Sequence, residues 1–205
     1  MQWLSPAFPL SSYAYSHGLE SAVESGWLHS ADSLYEWLFD LLLSGAGKND
    51  AIWIRLAAEV TDAAELVRLN DEARALQISA ERLRETQKQG HAFAKTVEDV
   101  WGIAVPMVCL PLAVGFAAKQ SQLSADDVIP LYLQAMTSNL VAAAQRLLPI
   151  GQTEGQRILA RLQPEFVSLA TATLDARLED ICSHNFLSDV AAMKHETLQG
   201  RIFQS

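Results

Sequence analysis

Residues 5–20 read Ser5-Pro6-Ala7-Phe8-Pro9-Leu10-Ser11-Ser12-Tyr13-Ala14-Tyr15-Ser16-His17-Gly18-Leu19-Glu20 and join two kinds of backbone. A residue that precedes proline avoids the α region, so Ser5 and Phe8 predict an extended N-terminal arm over residues 1–12. The pattern then becomes helical, because Tyr15, Leu19, Val23 and Trp27 recur every fourth residue. The sequence therefore predicts a helix after the arm, with Ser11 or Ser12 as its N-cap.

The composition is typical of one helical domain. The chain has 205 residues, half of them apolar, which is enough for a sizeable single core. Glycine and proline are sparse, with 10 and 7 residues, whereas good helix formers such as alanine, leucine and glutamate are common. We predict an all-α, single-domain bundle of about nine or ten helices over residues 1–205.

The net charge limits the kinds of partner. The formal charge is −9 and the isoelectric point about 4.9. Nucleic acids and anionic membranes both require a basic face, so the charge argues against either as a partner. A basic protein partner is favoured electrostatically, although charge alone identifies none.

The two cysteines and the start of the chain predict a cytoplasmic protein. Cys109 and Cys182 lie in apolar or helical patterns without a CxxC spacing, and we expect both to be reduced and buried. The first residues lack the basic and apolar regions of a signal peptide. The most apolar stretch, residues 103–118, is too short to span a membrane and contains two prolines, so we expect a buried helix over Pro106–Lys119 at the centre of the bundle.

Capping residues and breakers divide the first half of the chain into helices. Ser30 or Asp32 begins a second helix, whose predicted inner face comprises Leu34, Trp37, Leu38, Leu41 and Leu42. Residues 44–50 are expected to end it, and Asn49 or Asp50 to cap the next helix, which bends near Thr61-Asp62. The Gly-x-Gly-Lys within residues 44–50 is not a phosphate-binding loop, because a helix precedes it and Asn49 follows the lysine.

Capping residues and breakers also divide the second half of the chain into helices. Ser79 caps a helix in which Gly90 marks either a break or a close helix contact, and whose polar face is expected to be solvated. A long helix runs from Ser124 to about Leu147 and ends at Pro149. Three shorter helices follow, over 153–162, over 164–182 and in the tail before Gly200.

The sequence shows no arrangement of residues typical of catalysis or of metal binding. The five histidines form no HExxH, HxH or HD pair. His195 and Glu196 are adjacent, so on a helix they diverge by about 100° and do not share a metal ion. Neither a GxSxG motif nor a catalytic cysteine setting is present. We therefore predict no catalytic residue, no bound cofactor and no metal site in this chain.

Two motifs at opposite ends of the chain resemble the UreF family of urease accessory proteins. The first is Ser5-Pro6-x-Phe8-Pro9 followed by Tyr13-x-Tyr15-Ser16-x-Gly18-Leu19-Glu20. The second is Met193-x-His195-Glu196 followed by Arg201-x-Phe203-x-Ser205. The family usually has glycine where Ser11 stands, so Ser11 is expected to restrict φ at the end of the arm.

Segments between these motifs resemble the same family in the same order. They are Arg84-Glu85-Thr86-x-Lys88-x-Gly90, Leu110-Pro111-Leu112-Ala113-Val114-Gly115 and Arg146-Leu147-Leu148-Pro149-Ile150-Gly151-Gln152. The resemblance covers nearly the whole chain and agrees with the all-helical pattern.

The resemblance implies a non-enzymatic scaffold for urease maturation. Such proteins form homodimers and bridge a UreD-type protein, called UreH in some species, and the UreG-type GTPase. The complex then inserts nickel into apo-urease. On this reading the partner proteins handle nickel and GTP, and the chain itself binds neither.

The resemblance also implies three partner-binding segments. The arm contributes Phe8, Pro9, Tyr13, Tyr15, Ser16, Gly18 and Glu20. The tail, residues 188–205, contributes Met193, His195, Glu196, Arg201, Ile202 and Phe203, and is expected to become ordered only on binding the UreD-type partner. Arg201 is expected to pair with a carboxylate or carbonyl, for example Glu20. The turn with Arg146, Gly151 and Gln152 is expected to meet the GTPase on another face.

Two other functions remain open from the sequence. One is a regulator that changes nucleotide turnover by the GTPase instead of only bridging proteins. The other is an all-α enzyme whose site is assembled from residues that are distant in sequence.

Overall fold

The computed structural model describes residues 2–205, which form nine α-helices and three 3₁₀ turns without a β-strand. The helices are α1 (Leu19–Glu24), α2 (Ala31–Ser44), α3 (Ala46–Glu59), α4 (Ala63–Ala75), α5 (Ala80–Trp101), α6 (Leu110–Gln120), α7 (Ala125–Leu147), α8 (Gln152–Ala172) and α9 (Phe186–His195). The 3₁₀ turns are Gln2–Leu4, Ser12–Ala14 and Leu178–Asp180. The predicted all-α class is confirmed.

Helix α6 lies at the centre of the bundle, as predicted, and every residue from Leu110 to Ala118 is buried. It packs against α3, α5 and α7. Two glycines allow backbone to meet backbone here. A Cβ on Gly90 of α5 would overlap the carbonyl oxygen of Val108, and one on Gly115 of α6 would overlap that of Ile54. Gly90 therefore marks a close helix contact and not a break.

The central helix begins four residues later than predicted. Pro111, and not Pro106, occupies its first turn, where a proline loses no helical hydrogen bond. Side chains of neighbouring helices accept hydrogen bonds from the backbone N–H groups that are free at this end of α6. Asn70 Oδ1 accepts from Cys109 N at 2.9 Å, and Thr86 Oγ1 accepts from Leu110 N at 3.2 Å.

Side-chain caps fix several boundaries where the sequence predicts them. Ser30, Ser79 and Ser124 each accept a hydrogen bond from the first turn of their helix. Where a bend near Thr61-Asp62 is predicted, the helix instead ends, and Asp62 is the N-cap of the separate helix α4. All five residues predicted for the inner face of α2 are buried.

Two other predicted boundaries are wrong. Helix α3 begins at Ala46 and not at Asn49 or Asp50, because the break after α2 is confined to Gly45, whose backbone is non-helical. Helix α8 replaces two predicted helices and runs through Pro164. The buried stripe of Ile158, Leu162, Phe166 and Leu169 continues across the proline, so packing outweighs the lost hydrogen bond.

The N-terminal arm is folded into turns and is not extended as predicted. Backbone bonds from Ser5 N to Gln2 O and from Phe8 N to Ser5 O close these turns. Trp3 and Phe8 then pack on Phe93 and Trp101 of α5, with ring centroids 5.6–6.1 Å apart. This aromatic cluster holds the arm to the body.

The helix after the arm begins later than predicted. Neither Ser11 nor Ser12 caps it, since α1 starts at Leu19 after a left-handed Gly18. A Cβ on Gly18 would lie 2.7 Å from the Ala192 nitrogen of α9, so only glycine fits between the two ends of the chain. Ser11 adopts a φ of 57°, the left-handed conformation that glycine favours.

The cysteines differ from each other in burial. Cys109 is buried, as predicted, and burial raises the pKa of its thiol to about 11. Cys182 is only half-buried, because it lies in the irregular segment after α8. Within residues 2–205, none of the helices is long and apolar enough to cross a membrane.

Candidate interface where the two ends of the chain meet

Glu20 on α1 binds the backbone of the C-terminal tail. Its carboxylate accepts hydrogen bonds from Ile202 N at 2.7 Å and from Phe203 N at 2.9 Å. Phe203 is buried in the core, and Arg146 of α7 stacks on its ring at 4.4 Å from the centroid. A buried carboxylate that accepts two N–H groups is a strong, directional anchor.

His195, at the end of α9, lies fully buried between two acids. Its Nδ1 is 2.7 Å from Glu81 Oε2, and its Nε2 is 3.3 Å from Glu20 Oε2. Each ring nitrogen of His195 thus faces a carboxylate oxygen. Arg201 pairs with the other oxygen of Glu81. Two acids and two basic side chains are therefore paired at the junction.

A second buried group of charges lies beside the first. Glu85 on α5 accepts from His17 Nε2 at 2.8 Å and from Ser205 Oγ at 2.7 Å, and also pairs with Arg82. Burial alone would raise the pKa of Glu85, but Arg82 and His17 outweigh it and lower the pKa to about 2. Burial lowers the pKa of His17, so its Nε2–H donates to the carboxylate while Nδ1 carries no proton.

Asp50 and Tyr132 extend this group toward α7. The Tyr132 hydroxyl donates to Asp50 Oδ2 at 2.7 Å. Burial raises the pKa of Asp50 to about 6, although Arg82 and the tyrosine hydrogen bond oppose the shift. Burial and the adjacent carboxylate also raise the pKa of Tyr132 well above its usual value.

The residues predicted to bind partners divide into buried and exposed sets. The buried set, which shapes the junction from within, comprises Phe8, Tyr15, Ser16, Gly18, Glu20, His195 and Phe203. The exposed set comprises Pro9, Tyr13, Arg146, Gly151, Gln152, Met193, Glu196, Arg201 and Ile202. Only the second set is available for contact with another protein.

Arg146 lies at the same junction and not on a separate face as predicted. Its Nη1 donates to Tyr13 O at 3.2 Å in addition to its contact with Phe203. Gly151 and Gln152, at the start of α8, are exposed. One arginine thus connects the arm, the tail and α7, whereas Gly151 and Gln152 do not join the buried network.

The tail packs against the body of the chain in this structure. Besides the bonds to Glu20, Ser16 N donates to Ser205 O at 2.8 Å and Gln204 N donates to Ala14 O at 2.8 Å. Arg201 pairs with Glu81 and not with Glu20, because the backbone of the tail already occupies Glu20. The buried acids of the body therefore supply the contacts that the tail makes.

The acids that α5 contributes are absent from the sequence-based prediction. Glu81, Glu85 and Gln89 are all buried, although this face was expected to be solvated. They repeat every fourth residue and so form one stripe on the helix. That spacing is the available signal, but a polar stripe predicts burial only when its partners, here His17, His195 and Arg201, are already known.

Across residues 2–205, no three His, Cys, Asp or Glu side chains cluster in a way suited to a metal ion.

Comparisons with known proteins show the same family that the sequence motifs resemble. The UreF family model matches residues 28–163. Among curated proteins, a urease accessory protein UreF from Cereibacter sphaeroides is 46% identical over 205 residues, covering 100% of this chain and 96% of that protein. Proteins of the same name from Ruegeria pomeroyi and Roseobacter denitrificans are 44% and 43% identical, and this chain covers 94% and 91% of their lengths.

Proposed function

The chain belongs to the UreF family of urease accessory proteins, and from this premise we propose that it is a non-enzymatic scaffold for urease maturation. In this role it forms a cytoplasmic homodimer and bridges a UreD-type protein and a UreG-type GTPase, so that nickel reaches apo-urease. Nickel and GTP are bound by those partners and not by this chain.

The observation that carries the proposal is the convergence of the two family motifs on one surface. Tyr13 from the arm is 73% exposed and Ile202 from the tail is 59% exposed, and both flank the buried Glu20–His195 network. Met193 adds a third exposed apolar side chain. Exposed aromatic and aliphatic residues on a rigid base are typical of a protein–protein interface.

The docked tail supports binding by lowering its entropic cost. A segment that is already ordered does not lose its conformational freedom when the partner arrives. The buried network holds Ile202 in place through its backbone N–H and leaves the side chain exposed. We therefore assign Ile202 as a contact residue and Glu20, His195 and Glu81 as the residues that position it.

The test is the binding of a co-expressed UreD-type protein, measured by size-exclusion chromatography with light scattering. Full burial of an isoleucine is worth about 1.5–3 kcal/mol, and the 59% of Ile202 that is exposed makes an Ile202→Gln loss of about 1–2 kcal/mol, roughly a tenfold weaker complex. Val167→Gln is the matched control, because Val167 is also 59% exposed but lies on α8. Equal binding by both variants would contradict the proposed surface.

The same samples separate the scaffold from a regulator of the GTPase. A scaffold leaves the rate of GTP hydrolysis by the UreG-type protein unchanged in the assembled complex. A rate that changes when this chain is added, and reverts with a variant that no longer binds, would show a regulatory role.

A further inference from the structure

A groove of about 820 Å³ lies between the N-terminal arm and α7. The arm from Trp3 to Tyr13 forms one wall, and residues of α7 from Leu131 to Ala142 form the other. At its lips Tyr13 and Leu131 are 73% and 40% exposed. This volume falls within the range of roughly 300–1,000 Å³ that is usual for pockets that bind small molecules.

The floor of the groove holds the second buried group of charges. Asp50, Arg82 and Glu85 line it together with His17 and Tyr132. Arg82 neutralises Glu85, which leaves the floor with the one negative charge of Asp50. An anionic floor below partly apolar walls favours a cation that carries an apolar body.

His17 lines this groove, and also a small cavity beside Ile181, and it carries an unused acceptor. Its side chain is only 9% exposed, and its Nε2 is bound to Glu85. Its Nδ1 is buried and has no hydrogen-bond partner among residues 2–205. Since Nε2 carries the proton, Nδ1 offers a lone pair. An unsatisfied buried acceptor destabilises the site, and a ligand that donates to it would remove this cost.

Asp50 offers a second acceptor. Within the described chain its carboxylate accepts one side-chain hydrogen bond, from Tyr132 to Oδ2, and Oδ1 accepts none. Three neutral donors near the floor and on the wall of the groove are already used. Tyr132 donates to Asp50, Gln89 Nε2 donates to Glu85 at 3.1 Å, and Asn139 Nδ2 donates to Ser12 O at 2.8 Å. The floor therefore offers two free acceptors, His17 Nδ1 and Asp50 Oδ1, and the neutral donors next to its acids, Tyr132 and Gln89, are engaged.

We propose that this groove binds a small organic cation, an ammonium, amidinium or guanidinium carried on an apolar body. Its N–H groups donate to His17 Nδ1 and Asp50 Oδ1, and its apolar part lies between the arm and α7. The site goes beyond the proposed scaffold function and does not depend on it, because the isolated chain contains every group that the site needs.

The first experiment is calorimetric titration of the isolated protein with benzamidine, using benzamide as the neutral control of the same shape. We expect saturable binding of benzamidine, and binding of benzamide that is at least tenfold weaker, because benzamide lacks the charge that Asp50 attracts. Binding of both compounds with equal affinity, or no saturable binding of benzamidine, would overturn the proposal.

Two variants test the residues. Asp50→Asn keeps an oxygen for the Tyr132 hydrogen bond but removes the charge, and should weaken benzamidine binding by roughly tenfold or more. Asp40→Asn removes the same charge from an exposed position on α2 and should leave binding unchanged. Unaltered binding by Asp50→Asn would contradict the assigned contact.

A third variant locates the ligand. Asp50 also borders a small cavity of about 60 Å³ beside Ile181, which Leu131 does not line. Leu131→Lys adds a cation at the lip of the groove and should weaken benzamidine binding severalfold through charge repulsion. Unchanged affinity would exclude the groove as the site.

Two sources supply such a cation: a free molecule in the cell, or a basic side chain of a partner protein. A complex with the UreD-type protein that persists in saturating benzamidine excludes a side chain of that partner as the source. Displacement of the partner by benzamidine, but not by benzamide, identifies a side chain as its source.

Discussion

Replacing Glu20 by glutamine should release the tail without unfolding the bundle. The carboxylate accepts from Ile202 N, from Phe203 N and from His195. Hydrogen bonds to charged groups are worth about 1.5–3 kcal/mol each. Glutamine keeps one oxygen and so retains some of these hydrogen bonds. Its NH₂ group replaces the other oxygen, and because it is a donor it cannot accept from the N–H groups of the tail. We therefore expect docking of the tail to lose about 3 kcal/mol.

Hydrogen exchange followed by mass spectrometry measures this loss directly. A change of about 3 kcal/mol should accelerate amide exchange in residues 198–205 by roughly a hundredfold, while exchange in α6 stays unchanged. Glu24→Gln is the control, because Glu24 is an exposed acid on the same helix. If the tail remains equally protected in both variants, Glu20 does not hold it.

Four further results are expected. Gly90→Ala should lower the free energy of unfolding, measured in urea, by about 3 kcal/mol or more, since the added Cβ overlaps the Val108 carbonyl oxygen. Gly151→Ala is the control: the atom nearest to its added Cβ is 3.9 Å away, so the free energy of unfolding should change by less than about 0.5 kcal/mol. Phe203→Ala should leave the helical circular dichroism intact but weaken binding of the UreD-type partner, and normal complex formation would contradict the role of the tail. Because the pKa of Asp50 is raised from 3.8 to about 6, its ionisation opposes folding above pH 6, and this effect disappears as the pH falls below 4. Asp50→Asn should therefore raise the free energy of unfolding at pH 8 by about 1–2 kcal/mol, after allowance for its partial solvent access, and leave it unchanged at pH 4; thermal unfolding at the two pH values checks this. Because the pKa of Glu85 is instead lowered from 4.5 to about 2, its contribution, on the order of 3 kcal/mol, is complete above pH 4.5 and is lost as the pH falls toward 2, and Glu85→Gln should flatten acid unfolding in that range.

Local signals in the sequence predict much of the fold. Serine caps at Ser30, Ser79 and Ser124 act through their own side chains on the next turn, so they can be recognised without tertiary structure. The spacing of apolar residues in α2 and the continuous apolar stretch of α6 can also be recognised from neighbouring residues alone. Predictions fail where distant residues decide the outcome, as at Pro164, where a continuous packed stripe keeps α8 intact.

The arm shows the limit of local reasoning most clearly. Ser5-Pro6 and Phe8-Pro9 favour extended backbone, but Trp3 and Phe8 must reach Phe93 and Trp101, and this contact requires turns. The candidate interface was recognised from its two end motifs. Its polar half on α5 was not, because Glu81 and Glu85 acquire partners only after the chain ends meet.

The hydrogen bond from Ile202 to Glu20 joins residues that are 182 positions apart, which sets an order of events during synthesis. Because a chain leaves the ribosome from its N-terminal side, α1 and α5 are made long before residues 195–205. Until these residues emerge, Glu20, Glu81 and Glu85 lack His195, Arg201 and the hydroxyl of Ser205 as partners. The buried network at this junction is therefore the part of the bundle that is completed last. A premature stop before His195 would leave all three acids without these partners.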